Sequence, residues 1–528
     1  MKSLMVLILL SFFIPETNAQ DSLYLIGTIT GESYQKRITN VDRVGDINGD
    51  GYDDFMVSSR TGNIRRDQGI VQLYLGSATL DLTPGVTFHY PCCDTLNNLG
   101  NASEIGDVNG DGYDDFTISG YFGDFGFAKG KVFLYYGGEP VDTIPVAEFY
   151  DPWIQDYFGE DVEAVGDLNK DGYDDFTIGS KYNWTNGLGN LYLMLGGDTI
   201  TWNKSLNFNS NVMTDYFGES AANIGDVNND GFEDLAIGAP YTILGDVGRA
   251  YIYYCGDQLN VIPDTIFQGN YNYEKFGSII KRAGDLNNDN IIEYFIAGGS
   301  YVYLYSGIEI NKIINGFEMG VGGGINVAAN CDLNNDGYDD FIIGNTNYRN
   351  PDSIMVGGAF VYFGGENIDT TFKIKLEGEN KWDEFSRIMT TSDINGDGFD
   401  ELFVFAPNYP DYENPLGKAY IYSYKKLTDI DDNKENFLNN FELQQNYPNP
   451  FNPHTSIQYA ISSRQFVTLK VYDVLGKEIA TLVNEEKSAG EYKVEFNASK
   501  YKLSSGVYFS ELKIKGGNSS RIKMVLIK

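Results

Sequence analysis

The chain has 528 residues and a formal net charge of −36, with 74 acidic against 38 basic residues. This excess of negative charge argues against nucleic acid or an anionic membrane surface as a partner. Only two histidines are present, His89 and His454, so a histidine-rich zinc site is excluded and a histidine-dependent catalytic triad is disfavoured. Aromatic residues make up 14% of the chain and glycine occurs 60 times, which fits an all-β, turn-rich protein.

The N-terminal residues 1–19 predict a secretory signal peptide. They contain a lysine near the start, an apolar run from Leu4 to Ile14, and Thr17-Asn18-Ala19 before Gln20. This order of charged, apolar and small residues indicates cleavage after Ala19. The apolar run is too short to span a bilayer, and no later stretch is long enough, so we expect no membrane span.

A nine-residue acidic motif recurs seven times in residues 20–426. The first copy is Asp46-Ile-Asn-Gly-Asp-Gly-Tyr-Asp-Asp54, of the form D-x-N-x-D-G-x-x-D. The other copies begin at Asp107, Asp167, Asp226, Asp285, Asp332 and Asp393. One copy would be weak evidence, because Asn, Asp and Gly also form ordinary turns. Seven copies, starting about every 58 residues, indicate a repeat array.

The motif predicts a cation site in each repeat. Side-chain oxygens at positions 1, 3, 5 and 9 and the carbonyl of position 7 suit one hard cation, and Gly at position 6 permits the sharp turn. We predict Ca²⁺ at up to seven sites in a structural role, with Mg²⁺ second; the alternative is a metal-free Asx-turn. The copy at Asp285 departs most, with Asn290 for the glycine and Glu293 last. The predicted ligands are Asp46, Asn48, Asp50, Tyr52, Asp54, Asp107, Asn109, Asp111, Tyr113, Asp115, Asp167, Asn169, Asp171, Tyr173, Asp175, Asp226, Asn228, Asp230, Phe232, Asp234, Asp285, Asn287, Asp289, Ile291, Glu293, Asp332, Asn334, Asp336, Tyr338, Asp340, Asp393, Asn395, Asp397, Phe399 and Glu401.

Strand-like segments surround each motif. Position 12 is apolar where an EF-hand loop would carry its last carboxylate, so the motifs are turns between strands. In repeat 3 we predict strands at 158–166, Phe176–Gly179 and Gly189–Leu195. Four short strands in each of seven repeats predict an all-β, seven-bladed β-propeller. We expect Leu23–Ile29 to supply the outer strand of the last blade, beside Lys418–Tyr424.

These motifs resemble the FG-GAP repeat of the integrin α-subunit propeller over residues 20–426. The resemblance is carried by Phe158-Gly159, Phe217-Gly218 and Phe276-Gly277, by the acidic motifs, and by Gly238-Ala239-Pro240. Repeats 1, 6 and 7 lack a clean Phe-Gly pair. The resemblance implies calcium in the acidic loops and ligand contact on the face opposite them.

The loops expected on that opposite face are rich in aromatic residues. Aromatic side chains beside Asn, Asp and Gly suit stacking on sugar rings or contact with a protein. The alternative for any one of them is packing between neighbouring blades. The candidate ligand-binding residues are Trp153, Tyr182, Trp184 and Trp382.

The chain ends in a second module. Residues 427–440 are acidic and Asn-rich and read as a linker, and the alternating strands of residues 441–528 predict a small β-sandwich. Asn449-Pro-Phe-Asn-Pro453, Val471–Gly476 and Ser505–Phe509 resemble the type A C-terminal sorting domain of the bacterial type IX secretion system. The resemblance implies contact with that machinery, export across the outer membrane of a Gram-negative bacterium, and then release or surface attachment.

The sequence offers little support for catalysis. It contains no G-x-S-x-G, Walker A or H-E-x-x-H motif. We therefore favour a non-catalytic adhesion or binding protein for an extracellular glycan or protein. The alternatives are a polysaccharide-active enzyme, either a lyase or a glycosidase, and a structural component of a surface layer.

Overall fold

The computed structural model describes residues 22–34, 36–61, 68–89, 97–122, 129–150, 157–181, 188–201, 205–241, 247–316, 324–425, 441–443, 446, 448–461, 465–474, 477–487, 490–514 and 519–528. The regular structure within these ranges is β-strand, and no helix there is long and apolar enough to cross a membrane. The chain divides into two compact units, Met1–Thr428 and Asp429–Lys528. The predicted signal peptide and linker lie outside the described residues.

Among the described residues, the first unit contains 28 short strands. The strands of its first half are β1 Ser22–Thr30, β2 Ile38–Gly45, β3 Asp54–Thr61, β4 Gln68–Tyr74, β5 Val86–His89, β6 Asn97–Gly106, β7 Asp115–Phe122, β8 Lys129–Tyr135, β9 Ala147–Phe149, β10 Val162–Gly166, β11 Asp175–Ser180, β12 Asn190–Met194 and β13 Leu206–Phe208. The remaining strands are β14 Ala221–Asn223, β15 Leu235–Ala239, β16 Arg249–Tyr253, β17 Thr265–Gln268, β18 Ile279–Gly284, β19 Glu293–Gly298, β20 Tyr301–Ser306, β21 Glu309–Asn315, β22 Ile325–Cys331, β23 Asp340–Asn345, β24 Gly358–Tyr362, β25 Ile374–Glu377, β26 Ile388–Ser392, β27 Glu401–Ala406 and β28 Lys418–Lys425.

These strands form antiparallel sheets arranged as a β-propeller. Four consecutive strands make each of the sheets β10–β13, β14–β17, β18–β21 and β22–β25. One parallel pair, Gln68 with Asn97, joins the groups β2–β5 and β6–β9 into a single eight-stranded sheet. The first strands contact one another in the order β2, β6, β10, β14, β18, β22 and β26, and β26 contacts β2 again. The blade count of seven stays a prediction, which this cyclic order supports.

The remaining sheet contains the two ends of the first unit. Its strand order is β1-β28-β27-β26, and β1 pairs antiparallel with β28 from Ser22 opposite Lys425 to Thr30 opposite Lys418. Leu23 is buried in the same apolar cluster as Tyr420. The prediction that the N-terminal segment supplies the outer strand of this sheet is therefore confirmed.

The Phe-Gly pairs pack consecutive sheets together. Phe158 and Phe217 are at most 1% exposed, and each precedes a glycine with positive φ. A Cβ added at Gly179, in the second strand of one sheet, would lie 2.4 Å from the carbonyl oxygen of Gly218 in the next sheet. Because no side chain fits there, the third repeat requires a glycine in its second strand as well as after the phenylalanine.

One prediction about these pairs needs correction. The first strand of repeat 3 begins at Val162 and not at Phe158, because Tyr157 and Gly159 have positive φ and form a turn before the strand. Repeat 7 does carry an equivalent pair, Phe385-Ser386. Phe385 is fully buried and Ser386 has a φ of 73°, so a serine occupies the left-handed position of the glycine.

The second unit is a β-sandwich, as predicted. Its strands are β29 Phe441–Leu443, β30 His454–Ile461, β31 Gln465–Asp473, β32 Glu478–Lys487, β33 Gly490–Asn497, β34 Gly506–Ile514 and β35 Ser519–Leu526. They form the sheets β29-β30-β33 and β32-β31-β34-β35. Ile457 from the first sheet and Leu469 and Leu512 from the second lie fully buried in one core. The sequence reading missed β29.

Candidate metal loops and the opposite face

All seven acidic motifs connect the first strand of a sheet to its second strand. Because the first strands are arranged side by side in the same direction, the motifs lie together on one side of the first unit, which we name the loop face. The first strands begin and the second strands end on the other side, which we name the opposite face. This placement agrees with the sequence prediction.

The polar side chains of each motif bind its own backbone. In the first loop the two carboxylate oxygens of Asp46 accept the N–H groups of Asp50 and Gly51 at 3.1 and 2.8 Å. Asn48 Oδ1 accepts Asp50 N–H at 2.9 Å, and Asp50 Oδ1 accepts Tyr52 N–H at 3.1 Å. The other loops repeat the bonds to the first aspartate. These are the bonds of Asx-turns, and they preshape the loop.

The irregular fifth loop keeps the same backbone path. Asn290, which replaces the glycine, has a φ of 66°, and its N–H donates to Asp285 Oδ2 at 2.7 Å. Asparagine tolerates the left-handed region better than most residues, so the substitution preserves the turn.

The ninth residue of each motif is a buried acid. Asp54 is fully buried, and its Oδ1 accepts the N–H of Gly76, which follows the third strand, at 2.8 Å. Burial raises the pKa of Asp54 to about 8, and the nearby charges of Asp50 and Asp46 add to the rise. The equivalent acids are Asp115, Asp175, Asp234, Glu293, Asp340 and Glu401, all fully buried and all with a pKa raised chiefly by burial.

The oxygens of the ninth residue indicate whether the loops are suited to a cation. Asp54 Oδ2, Glu293 Oε1 and Glu401 Oε2 are buried oxygens without a hydrogen bond. A hard divalent cation satisfies such oxygens and offsets the repulsion between the acids of one motif. Within the described ranges, however, no three acidic, histidine or cysteine side chains converge closely enough to hold a metal. The donor chemistry therefore fits Ca²⁺, while the side chains lie in their Asx-turn positions.

The sequence reading missed the eighth residue of the motif. Asp114 does not face its own loop; its Oδ2 accepts the N–H of Asp46, the first residue of the preceding loop, at 2.9 Å. The same bond recurs from Asp174, Asp339 and Asp400, and we call these four side chains the bridging acids. The repeated Asp-Asp pair at positions 8 and 9 was the signal that could have identified them.

Exposed aromatic side chains lie on the opposite face. Tyr157, Tyr273 and Trp382 each come just before the start of a first strand, and they are 43%, 73% and 42% exposed. Lys381 Nζ lies 5.5 Å from the centre of the Trp382 ring. The other candidate ligand residues, Trp153, Tyr182 and Trp184, lie outside the described residues.

A charged cavity of about 200 Å³ opens beside Tyr157. Glu160, Asp161, Lys181 and Glu219 line it, and Lys181 Nζ lies 2.8 Å from Glu160 Oε2. Burial raises the pKa of Asp161 well above its usual range, and it also raises the pKa of Glu219. The cavity therefore brings together three acids and one lysine, and burial raises the pKa of two of the acids.

A second cavity of about 290 Å³ lies among the first strands of several sheets. Arg43 Nε pairs with Glu104 at 2.7 Å, and Lys281 pairs with Glu163. Asp42 also lines the cavity, and burial raises its pKa to about 8. These charged groups from separate sheets meet close to the centre of the first unit.

The chain matches two family models. The model described as the secretion system C-terminal sorting domain matches residues 445–528. The FG-GAP repeat model matches residues 217–253 and 385–422, and the second match begins at Phe385 of the corrected seventh repeat.

Integrin alpha chains are among the similar curated proteins. Integrin alpha-5 of Xenopus laevis is 32% identical over 231 residues, which make up 39% of this chain and 21% of that protein. Integrin alpha-6 of Homo sapiens is 35% identical over 137 residues, or 25% of this chain and 12% of that one. The chain thus spans about a fifth or less of these relatives. Among solved structures, BBS1N in complex with ARL6DN, soaked with lead, shows a TM-score of 0.44 at 10% identity, covering 78% of this chain and 100% of that one.

The matches and the topology together identify the architecture. The protein combines a β-propeller of FG-GAP repeats, similar in part to integrin alpha chains, with a C-terminal sorting domain of a bacterial secretion system.

Proposed function

We propose that the protein is exported by the type IX secretion machinery and binds an extracellular glycan or protein without catalysis, as an adhesin or capture protein. Calcium in the acidic loops stabilises its propeller, which has seven blades. The proposal extends to the whole chain what the sorting-domain match and the partial likeness to integrin alpha chains suggest.

One observation carries the binding proposal: the two faces of the first unit differ in chemistry. The loop face carries the acidic motifs, whereas Tyr157, Tyr273 and Trp382 are exposed on the opposite face. Large exposed aromatic rings offer contact area at low cost in side-chain entropy, and sugars and protein partners use such surfaces. We infer that a ligand binds the opposite face.

Calcium supplies charge neutralisation and a fixed loop geometry in this proposal. The side chains at positions 1, 3, 5 and 9 and the carbonyl at position 7 would hold it. The Asx-turn hydrogen bonds already fix the backbone of each loop, so binding would require mainly side-chain adjustment. We expect modest affinity, with a Kd on the order of 10⁻⁴–10⁻³ M per site, as in other extracellular modules.

A binding screen of the purified full chain on glycan and matrix-protein arrays tests the proposal, in calcium and in chelator. We expect saturable, calcium-dependent binding that Trp382→Ala or Tyr273→Ala weakens by about tenfold or more. Ile310→Ala is the matched control, since Ile310 is 45% exposed on the outer strand β21. Binding that Ile310→Ala weakens as much as Trp382→Ala would move the ligand site away from the opposite face.

Export is tested separately. A chain that ends before residue 445 should fold but stay inside the producing cell, while the full chain reaches the surface or the medium. Immunoblots of cell fractions and medium decide this. Equal export of both chains would show that the C-terminal domain is not needed for export.

The charged cavity beside Tyr157 favours a second candidate, a polysaccharide-active enzyme. Burial raises the pKa of Asp161, and the carboxyls of Glu160 and Glu219 lie in the same cavity. Glycoside chemistry uses such a group of acids, one of which stays protonated. Any array ligand should therefore be assayed for depolymerisation. Turnover that Asp161→Asn abolishes would establish the enzyme, and binding without turnover would support the adhesin.

A further inference from the structure

Four loops are tied to the next repeat by the same hydrogen bond. The backbone N–H of the first residue of one loop donates to a bridging acid in the following repeat. The bonds are Asp46 to Asp114 at 2.9 Å, Asp107 to Asp174 at 3.0 Å, Asp285 to Asp339 at 2.7 Å and Asp332 to Asp400 at 2.8 Å. The N–H of each bridging acid donates in return to the carbonyl of the same first residue, for example Asp174 to Asp107 at 3.2 Å.

The residue before three of these four loops is a glycine that lies against the bridging acid, while Cys331 precedes the loop at Asp332. Gly45, Gly106 and Gly284 have φ values of 72°, 76° and 82°. A Cβ added to any of them would lie within 2.2–2.3 Å of a carboxylate oxygen of the bridging acid. The repeat therefore reserves space for this contact, which ordinary turn geometry does not require.

Three of the seven junctions lack the contact among the described residues and provide a natural comparison. At the eighth position of the first loop, Asp53 accepts a hydrogen bond from Ser392 Oγ at 2.8 Å instead. At the eighth position of the fourth loop, Glu233 pairs with Arg282 at 3.0 Å and accepts Asn223 Nδ2. At the same position of the fifth loop stands Ile292, which has no acceptor. The loops at Asp167, Asp226 and Asp393 thus face a different neighbour from the four loops that contact a bridging acid.

We propose that the bridging acids are positioning residues for the cation site of the preceding repeat, so that each such site is completed by the neighbouring sheet. This inference rests on the proposed calcium binding. A bond to the N–H of Asp46 fixes the backbone from which its carboxylate extends, and groups that orient metal ligands typically change affinity by about 10–100-fold when removed. The fold thereby couples calcium occupancy of one loop to its contact with the next repeat.

Calcium titration combined with hydrogen–deuterium exchange of the full chain tests this inference. In Asp114→Ala we expect calcium to protect peptides covering Asp46–Asp54 only at about tenfold higher concentration than in the unchanged protein. Peptides covering Asp107–Asp115, the mutated loop itself, should retain their calcium dependence. Asp114→Asn keeps an oxygen acceptor and should restore most of the protection in the first loop.

Ile292→Ala is the matched control, since it shortens the same motif position where no acceptor exists. It should leave the calcium dependence of the fourth loop, Asp226–Asp234, unchanged. The inference would be overturned if Asp114→Ala weakened calcium-dependent protection only in peptides covering Asp107–Asp115. It would also be overturned if Ile292→Ala weakened the protection of Asp226–Asp234 as strongly as Asp114→Ala weakens that of Asp46–Asp54. If the unchanged protein shows no calcium-dependent protection in any loop, the calcium proposal itself fails, and the bridging inference falls with it.

Discussion

The acidic residues of this protein fall into two groups: carboxylates that are buried in the fold and carboxylates that are exposed to water. Asp54 is fully enclosed and accepts a backbone N–H from another strand, whereas Asp50 on the same loop is exposed. Asp42 is half-buried in the cavity among the first strands, where Asn40 Nδ2 and Ala102 N–H donate to it at 2.9 and 3.2 Å. In both surroundings burial raises the pKa of the carboxyl to about 8.

Asp42 should make stability depend on pH. Burial raises its pKa from 3.8 to about 8, Glu163 adds to the rise and Lys281 opposes it. Between these values the folded state holds a proton that the unfolded state has lost, so the free energy of unfolding falls as pH increases from about 4 to about 8. The stability of Asp42→Asn relative to the unchanged protein should therefore increase between pH 5 and pH 9, by about 1–3 kcal/mol.

Urea unfolding at pH 5 and pH 9 in constant calcium measures this effect. Asp369→Asn is the control, because its carboxyl is exposed and hydrogen bonding from Lys373 lowers its pKa to about 2. That variant should gain nothing at pH 9. If Asp42→Asn also gains nothing there, the carboxyl of Asp42 is ionised without cost in the folded protein.

Gly137 should be intolerant of any side chain. Its N–H donates to the buried Asp115 at 2.9 Å, and an added Cβ would lie 2.4 Å from the carbonyl oxygen of Asp114. Gly137→Ala should lower the free energy of unfolding by about 1–3 kcal/mol, because the strand must shift away from the loop. Gly100→Ala, whose Cβ would meet no atom within 4 Å, should change it far less in the same denaturation assay. Equal effects would mean that the space at Gly137 is not limiting.

At the level of elements, the strand β1 joins the ends of the first unit. It is the only described strand in its sheet that comes from the N-terminal end, and it pairs with β28 along nearly its whole length. A propeller sheet that recruits a strand from the other end of the chain closes the ring without a covalent bond.

Removing Ser22–Thr30 should lower the Tm by about 10 °C or more, since β28 loses its backbone partner and the apolar cluster around Tyr420 loses the buried Leu23. A finer comparison uses Leu23→Asp and Leu25→Asp. Leu23 is buried while Leu25 is 43% exposed, so only the first change should destabilise the protein. Scanning calorimetry gives both results, and an unchanged transition after deletion would contradict closure by β1.

For the whole molecule, the net charge of −36 opposes compaction unless counterions reduce it. Calorimetric titration of chelated protein should show about five or more calcium equivalents. Calcium should also raise the Tm, because a ligand that binds only the folded state stabilises it. Sodium chloride at matched ionic strength separates specific binding from screening. If two calcium equivalents or fewer were bound, most repeats would lack a calcium site. The acidic motifs would then be explained by their Asx-turns alone.

The periodic motifs were sufficient to predict the architecture. The turn, the strands and the packing glycines of each repeat are encoded by residues close together in sequence. The β-propeller, the sandwich and the closure by β1 could therefore be predicted from the sequence. Local signals failed at Phe158, where positive φ delays the strand, and at Ser386, where serine takes the place of glycine.

Contacts between repeats could be decided only by the tertiary structure. In sequence, Asp114 appears to be one more acid of its own loop, but folding places its carboxylate on the N–H of Asp46 in the preceding repeat, 68 residues away. Likewise, the burial that raises the pKa of Asp42 comes from strands of several sheets. A residue pattern specifies what lies near it along the chain. The partner across a sheet boundary is fixed only when the repeats close around one another.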